Sequence, residues 1–152
     1  MEAVVTRYHE NYHPDIIRLC AAFSEESLNE YGLTVGNDRL GQMIQVCKDI
    51  SFFMLVDGKV VGLIAGMEVQ NLTNGKTGLQ EIIWYVDKPY RSKGLLLLRY
   101  FEEAAKVIGA AHIVMALMCN SKADKLARLY EREGYKPFEV QYMKEIHYAT
   151  GT

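Results

Sequence analysis

The spacing of apolar residues changes several times along the chain, and each change marks an element. Residues 3–8 alternate and read as a strand. From His13 the period becomes helical, with Ile16, Ile17, Leu19, Cys20 and Phe23 forming one stripe. His13-Pro14-Asp15 supplies the helix start, with proline at the first helical position and an acid in the first turn. Ser24-Glu25-Glu26-Ser27 interrupts that stripe and begins a short second helix. Leu40, Met43, Ile44 and Cys47 share a face and predict a helix over 40–48. Residues 51–56 and 60–69 are two strands around Asp57-Gly58, a strong two-residue hairpin signal. The polar stretch 70–78, with Asn74-Gly75, is a loop or hairpin tip. Residues 79–86 are apolar at nearly every position, which suits a central strand covered on both sides.

After Gly94, the positions Leu97, Leu98, Phe101, Ala104, Ala105 and Ile108 make a clean helical stripe that Gly109 ends. Residues 112–118 read as a buried strand. Ser121 and Asp124 fit a capping box for a helix running through Leu126, Leu129 and Tyr130 to Gly134. Residues 137–147 alternate as a final strand, with Phe138, Val140, Tyr142 and Ile146 on one side. Strand–helix–strand in the second half implies a parallel crossover, whereas the hairpin is antiparallel. The expected class is therefore α/β (α+β mixed): one domain over 1–152, with a mixed sheet of six to seven strands flanked by about four helices.

Composition narrows the partners. A formal net charge of −2, with 49% hydrophobic and 24% charged residues, is ordinary for a globular protein and carries no general affinity for nucleic acid. No apolar run approaches the roughly 20 residues that span a bilayer, so no membrane partner is expected. Residues 1–9 mix Glu2 and Arg7 among apolar residues and do not read as a secretion signal. Cys20, Cys47 and Cys119 are odd in number and far apart, which points to a reducing, cytoplasmic setting. His9, His13 and Cys20 match no strong zinc spacing, so no metal is expected.

The chemistry-bearing feature is Tyr90-Arg91-Ser92-Lys93-Gly94, a short basic turn between a strand and a helix. A helix start leaves backbone N–H groups unpaired and adds partial positive charge, and Arg91 and Lys93 add full charges. The turn reads either as a seat for a phosphorylated, nucleotide-like ligand or as a solvated basic turn.

Three motifs follow in order: Val86-Asp87-Lys88-Pro89-Tyr90, Arg91-Ser92-Lys93-Gly94 and Leu129-Tyr130-Glu131-Arg132-Glu133-Gly134-Tyr135. Together with an element order that covers nearly the whole chain, they resemble the GCN5-related N-acetyltransferase (GNAT) superfamily. The second matches the first four positions of its cofactor loop: Gln or Arg, any two, Gly, any one, Gly or Ala; the first resembles the lead-in to that loop and the third its helix end. The last small residue of the loop pattern falls at the bulky Leu96, and the helical stripe begins early, so the loop is expected to be short. The stretch Gly134-Tyr135-Lys136-Pro137 resembles some compact phage-encoded members.

The resemblance implies an acyl-CoA N-acyltransferase-like fold. It also implies transfer of an acetyl group from acetyl-coenzyme A to a primary amine of a small molecule or peptide. The pyrophosphate would lie over Arg91, Ser92, Lys93, Gly94, Leu95 and Leu96. The pantetheine arm would pair with a splayed central strand, where an N–H near Tyr85 or Val86 polarises the thioester carbonyl. Transfer needs a neutral amine and hence a base. Glu81, the one acid in an otherwise apolar strand and ten positions before Arg91, resembles the family's catalytic glutamate. It reads otherwise as an edge glutamate at the strand's entrance, reaching solvent or pairing with Lys76. Tyr130 resembles the family's tyrosine acid, or else is an ordinary core tyrosine. Asn120 resembles a residue contacting the pantetheine arm, or else caps a helix. Glu25, Glu26, Glu30 and Asp38 would make an acidic mouth for a cationic amine, or a solvated helix face; Tyr31, Trp84, Tyr85 and Tyr142 would wall it, or lie in the core. A homodimer is compatible with the apolar final strand. The alternative to an enzyme is a catalytically silent module of this fold that binds coenzyme A or a protein. A dinucleotide-binding domain is disfavoured, because its fingerprint needs three glycines where this turn has one.

Overall fold

Asp57 and Gly58 both adopt left-handed backbone, with φ of 50° and 78°. That conformation closes a two-residue hairpin whose twist matches the strands it joins. Those strands are β2 (Ser51–Val56) and β3 (Lys59–Gln70). The structure, a computed structural model, describes residues 2–29 and 37–149. The chain divides into two units, Met1–Asn120 and Ser121–Thr152.

In the first unit, β1 (Ala3–Arg7) leads through a 3-10 turn to α1 (His13–Phe23), which continues without a break into a π-helical turn, Ser24–Leu28. α2 (Asn37–Val46) precedes the hairpin. β4 (Thr77–Val86) follows, then a 3-10 segment (Lys88–Lys93), α3 (Leu95–Val107) and β5 (His112–Val114). The sheet order is β1-β2-β3-β4-β5. The first three pairings are antiparallel and β4 with β5 is parallel.

Helices cover both faces of the sheet. Ile16, Leu19, Cys20, Leu40, Ile44 and Cys47 pack with Phe53, Leu63, Ala65, Ile83 and Tyr85 on the α1–α2 face. On the other face α3 buries Leu97, Leu98, Phe101 and Ala105. Burial without a charge partner pushes the Cys20 thiol up to about 11 and raises Cys47 as well.

One irregularity positions the site. Ala65 pairs with Ile83 but Gly66 with Glu81, so Ile82 is an extra residue that bulges β4 beside Glu81. Gly66 must be glycine here. A Cβ would lie 2.6 Å from both the Gln80 carbonyl oxygen and Phe101 Cζ.

The second unit contains α4 (Ala123–Arg132), closed by Gly134 in left-handed backbone with φ 91°. Tyr135 N–H donates to the Tyr130 carbonyl at 2.9 Å.

Several expectations are corrected. The sheet has five strands among the described residues, not six to seven, because 137–147 makes no ladder. Its stripe of Phe138, Val140, Tyr142 and Ile146 is exposed. Alternation permits a strand, but only a partner edge makes one. The buried strand expected over 112–118 is only His112–Val114, with His112 exposed and the other two half-buried, since the chain then leaves β4. The capping box does not form; Lys122 is the cap residue and its side chain makes no cap hydrogen bond. The second helix near Ser24 is the π-helical continuation of α1, and Met43 is exposed.

Gly66→Ala is expected to cost roughly 2 kcal/mol through overpacking. A fall of about 4–8 °C in melting temperature, read by calorimetry, is the corresponding signal.

Candidate active site

The edge of β4 that faces β5 is paired only at its beginning. Gly78, Leu79 and Gln80 match His112, Ile113 and Val114, and past Gln80 the two strands part. Glu81 stands at the parting. It is 7% exposed, and its Oε1 accepts the Ala116 N–H at 3.0 Å. The carboxylate therefore takes the place of a ladder bond just where the ladder ends. Burial raises its pKa to about 7, and the Ala116 hydrogen bond opposes that rise without cancelling it. An edge glutamate reaching for Lys76 is excluded by this burial. The pKa matches a group that exchanges protons near neutrality.

The strand beyond Glu81 has two kinds of amide. Asp87 N–H donates to the Val61 carbonyl at 2.8 Å, so it points towards β3. Backbone groups alternate along a strand. The Tyr85 amide therefore also points to β3, and that of Val86 faces the edge that β5 leaves. The Val86 carbonyl, on that same edge, accepts Arg91 Nε at 2.8 Å. Of the two amides expected at the thioester, Val86 has the right direction. Tyr85 contributes its ring instead, with the Arg91 guanidinium 5.3 Å above it and Phe23 edge-on at 6.3 Å.

Arg91 turns inward. Besides Val86 and Tyr85, its Nη2 donates to Glu26 Oε2 at 2.6 Å. The loop is short, as expected: Lys88–Lys93 is 3-10 helical and α3 begins at Leu95. Gly94 is buried, and a Cβ there would come within 3.3 Å of the Arg91 carbonyl oxygen. Ser92 is exposed; Lys93, Leu95 and Leu96 are half-buried. Those last four residues, with Arg99, Glu2 and Ala3, line a shallow depression. It opens beside β1, at the sheet edge opposite β5, and so is distinct from the parting at Glu81.

Two side chains escaped the sequence reading. Arg18 on α1 clamps Asp87 with Nη1 at 3.2 and 2.9 Å from its two oxygens, and donates Nη2 to the Val60 carbonyl at 2.7 Å. That fixes the end of β4 to α1. Glu26, grouped with the acidic mouth or solvated face, is instead the partner of Arg91; the π-helical turn that aims it has no sequence signature. Glu25 is exposed. Glu30 and Tyr31 lie outside the described residues, as does the side chain of Asp38. Asn120, at the end of the first unit, does not cap α4, whose cap residue is Lys122. In the second unit Tyr130 is buried, and its ring lies 5.7 Å from that of Tyr135.

These residues can be set against coenzyme A. At the head of the 13-residue α3, Lys93 offers a charge to a diphosphate, while the Gly94 and Leu97 N–H groups already donate to the Arg91 and Gly94 carbonyls. An amide-bearing arm fits the open edge at Val86. Among the described residues no three His, Cys, Asp or Glu side chains gather as a metal site, and no helix is long and apolar enough to cross a membrane.

Comparison with known proteins agrees with this architecture. Many solved structures share the fold, among them the following three. A ribosomal-protein-alanine N-acetyltransferase from Brucella melitensis biovar Abortus 2308 superposes with a TM-score of 0.75 at 16% identity, over 96% of this chain and 100% of that one. An aminoglycoside acetyltransferase, HMB0005, from an uncultured soil metagenomic sample gives 0.72 at 17% identity, over 97% and 100%. An acetyltransferase from Trypanosoma brucei gives 0.71 at 16% identity, over 95% and 100%. No curated protein matches the chain in sequence. The model of the acetyltransferase (GNAT) family matches residues 15–135. With most of its length covered by that match, the chain belongs to the GNAT family of acyl-coenzyme A dependent N-acetyltransferases.

Proposed function

We propose that this protein, with 1–152 working as one domain, transfers an acetyl group from acetyl-coenzyme A to a primary amine of a small molecule or peptide. The observation that carries this reading is Glu81: a buried carboxylate, oriented by the Ala116 N–H, at the point where β4 and β5 part. Acetyl-coenzyme A, when bound, supplies the acetyl thioester. Ser92, Lys93, Gly94, Leu95 and Leu96 at the head of α3 hold its diphosphate, with Arg91 beside them. The Val86 amide donates to the thioester carbonyl and stabilises the charge that develops there. Glu81 takes the proton that the amine loses, directly or through one water, as the new C–N bond forms. The C–S bond breaks, and the Tyr130 hydroxyl supplies a proton to the departing sulfur. The family motif around Tyr130 supports that role, and Asn120 is assigned to the pantetheine arm on the same ground.

A second reading, a silent module that binds coenzyme A without turnover, is favoured by one observation: Arg91 is engaged by Val86, Glu26 and Tyr85. Release of thiol from acetyl-coenzyme A across a panel of amines separates the two. Turnover supports the enzyme; thermal stabilisation by coenzyme A with no turnover against any amine supports the module.

Three outcomes are expected of substitutions. In the wild type, kcat/KM rises with pH through about 7 as Glu81 ionises. Glu81→Gln lowers it by about 100-fold or more and removes that rising limb; an unchanged pH profile removes Glu81 from the mechanism. The same variant reports on stability. Because the folded pKa of Glu81 lies above its ordinary 4.5, the stabilising protonated form is lost as pH rises through about 7. Glu81→Gln should therefore match the wild type near pH 4.5 and exceed it by on the order of 3 kcal/mol above pH 8, in urea titrations at both pH values. Tyr130→Phe is expected to lower kcat by about tenfold or more while leaving coenzyme A affinity within about twofold, as measured by calorimetry.

A further inference from the structure

Arg18 reaches from α1 across the ends of two strands. Its Nη1 donates to both oxygens of Asp87, at 3.2 and 2.9 Å, and its Nη2 donates to the Val60 carbonyl at 2.7 Å. β3 is irregular where it offers that carbonyl. Leu55 pairs with Val60 but Met54 with Gly62, so Val61 is an extra residue there. The Val61 carbonyl accepts the Asp87 N–H at 2.8 Å. Two successive carbonyls of β3 are thus committed to Asp87, Val61 directly and Val60 through Arg18.

The residue these contacts bracket is Val86. A Cβ at Gly62 would lie 3.0 Å from Val86 Cγ2, and one at Gly94 would lie 3.5 Å from it, so the valine side chain packs between two glycines. Its carbonyl accepts Arg91 Nε at 2.8 Å. The next residue, Asp87, is held by Arg18 and Val61. The Val86 N–H alone faces the edge that β5 leaves. A donor stabilises developing charge best when its direction is set before the reaction begins. A misplacement of about 1 Å can cost on the order of 10²-fold in rate.

We infer that Arg18 is a positioning residue for acyl transfer: through Asp87 and Val60 it sets the direction in which the Val86 N–H meets the thioester carbonyl. This inference rests on the role given to Val86 above and adds a residue of α1 to it. Arg18 acts at one remove from the reacting atoms. Its loss weakens the transition state and leaves the binding of coenzyme A, which has no thioester carbonyl, unchanged. The pair is partly exposed, 38% for Arg18 and 19% for Asp87, so a neutral substitute strands no fully buried charge.

Exchange, binding and turnover together test it on the whole chain. In the free protein, hydrogen exchange at the Asp87 amide, followed by NMR, should speed up about tenfold or more in Arg18→Gln, while the Leu63 and Ala65 amides stay within about threefold. Calorimetry should show coenzyme A bound within about twofold of the wild-type affinity at a stoichiometry of roughly one, which reports a folded chain. With acetyl-coenzyme A and an accepted amine, kcat should fall roughly 5- to 30-fold while both KM values stay within about twofold. The rising pH limb should stay where it is, because Glu81 is untouched. Asp15→Asn removes the acid 3.7 Å from Arg18 Nη2, keeps the clamp, and should leave kcat within about 1.5-fold. Adding Asp87→Asn to Arg18→Gln should cost little more, since the two act as one unit. Unchanged exchange at Asp87, equal acceleration at Leu63 and Ala65, a loss confined to KM, or an unchanged kcat in folded Arg18→Gln each overturns the inference and leaves the coenzyme A reading standing. A wild type that turns over no amine takes both down. Should Arg18→Gln not fold, Asp87→Asn breaks the same pair, keeps the Asp87 N–H, and carries the same outcomes.

Discussion

When two strands part inside a folded protein, the backbone groups that faced each other need other partners, and the region around Glu81 is organised by that need. The β4–β5 ladder ends at Gln80. One residue later the Glu81 carboxylate accepts the Ala116 N–H. At the far end of β4 the Val86 carbonyl accepts Arg91 Nε. Side chains replace main-chain partners at both ends of the opening. A buried polar group left unpaired costs more than a hydrogen bond gains, so the identities of these two side chains are tied to the shape of the sheet as well as to any chemistry. The bulge at Ile82 belongs to the same arrangement, because it falls beside Glu81 while Gly66 leaves room for Phe101 underneath.

The arrangement also explains why so much charge converges on one strand end. Arg18 grips Asp87 and the Val60 carbonyl. Arg91 spans Val86 and Glu26 and lies over Tyr85. Each guanidinium bonds both a backbone carbonyl and a carboxylate, using separate nitrogens of its planar fork. Between them they fasten α1 and its π-helical extension to the end of β4. The first helices and the turn that heads α3 thus share one set of fastenings, although they are far apart in sequence.

Much of this was legible in the sequence. The Asp57-Gly58 turn, the α3 stripe, the Gly109 and Gly134 stops and the apolar run of β4 are local signals, and each matches an observed element. Glu81 stood out because an acid in an apolar strand is costly unless something holds it. The features that were not legible are those set by pairing across the chain. The alternation of 137–147 says nothing about whether an edge is available to it. The length of β5 is fixed by where Glu81 intercepts Ala116. The inward turn of Arg91 depends on Val86, Tyr85 and Glu26, none of which announces the contact by its spacing. The Ser121–Asp124 pattern met the rule for a capping box, yet the helix starts at Ala123 and uses Lys122.

Cys20 and Cys47 complete the α1–α2 face of the core. Only a thiolate attacks a disulfide or yields readily to an oxidant, and burial holds both groups in the protonated form, Cys20 up to about 11. At these two positions the sulfur serves the packing of the core rather than exchange chemistry.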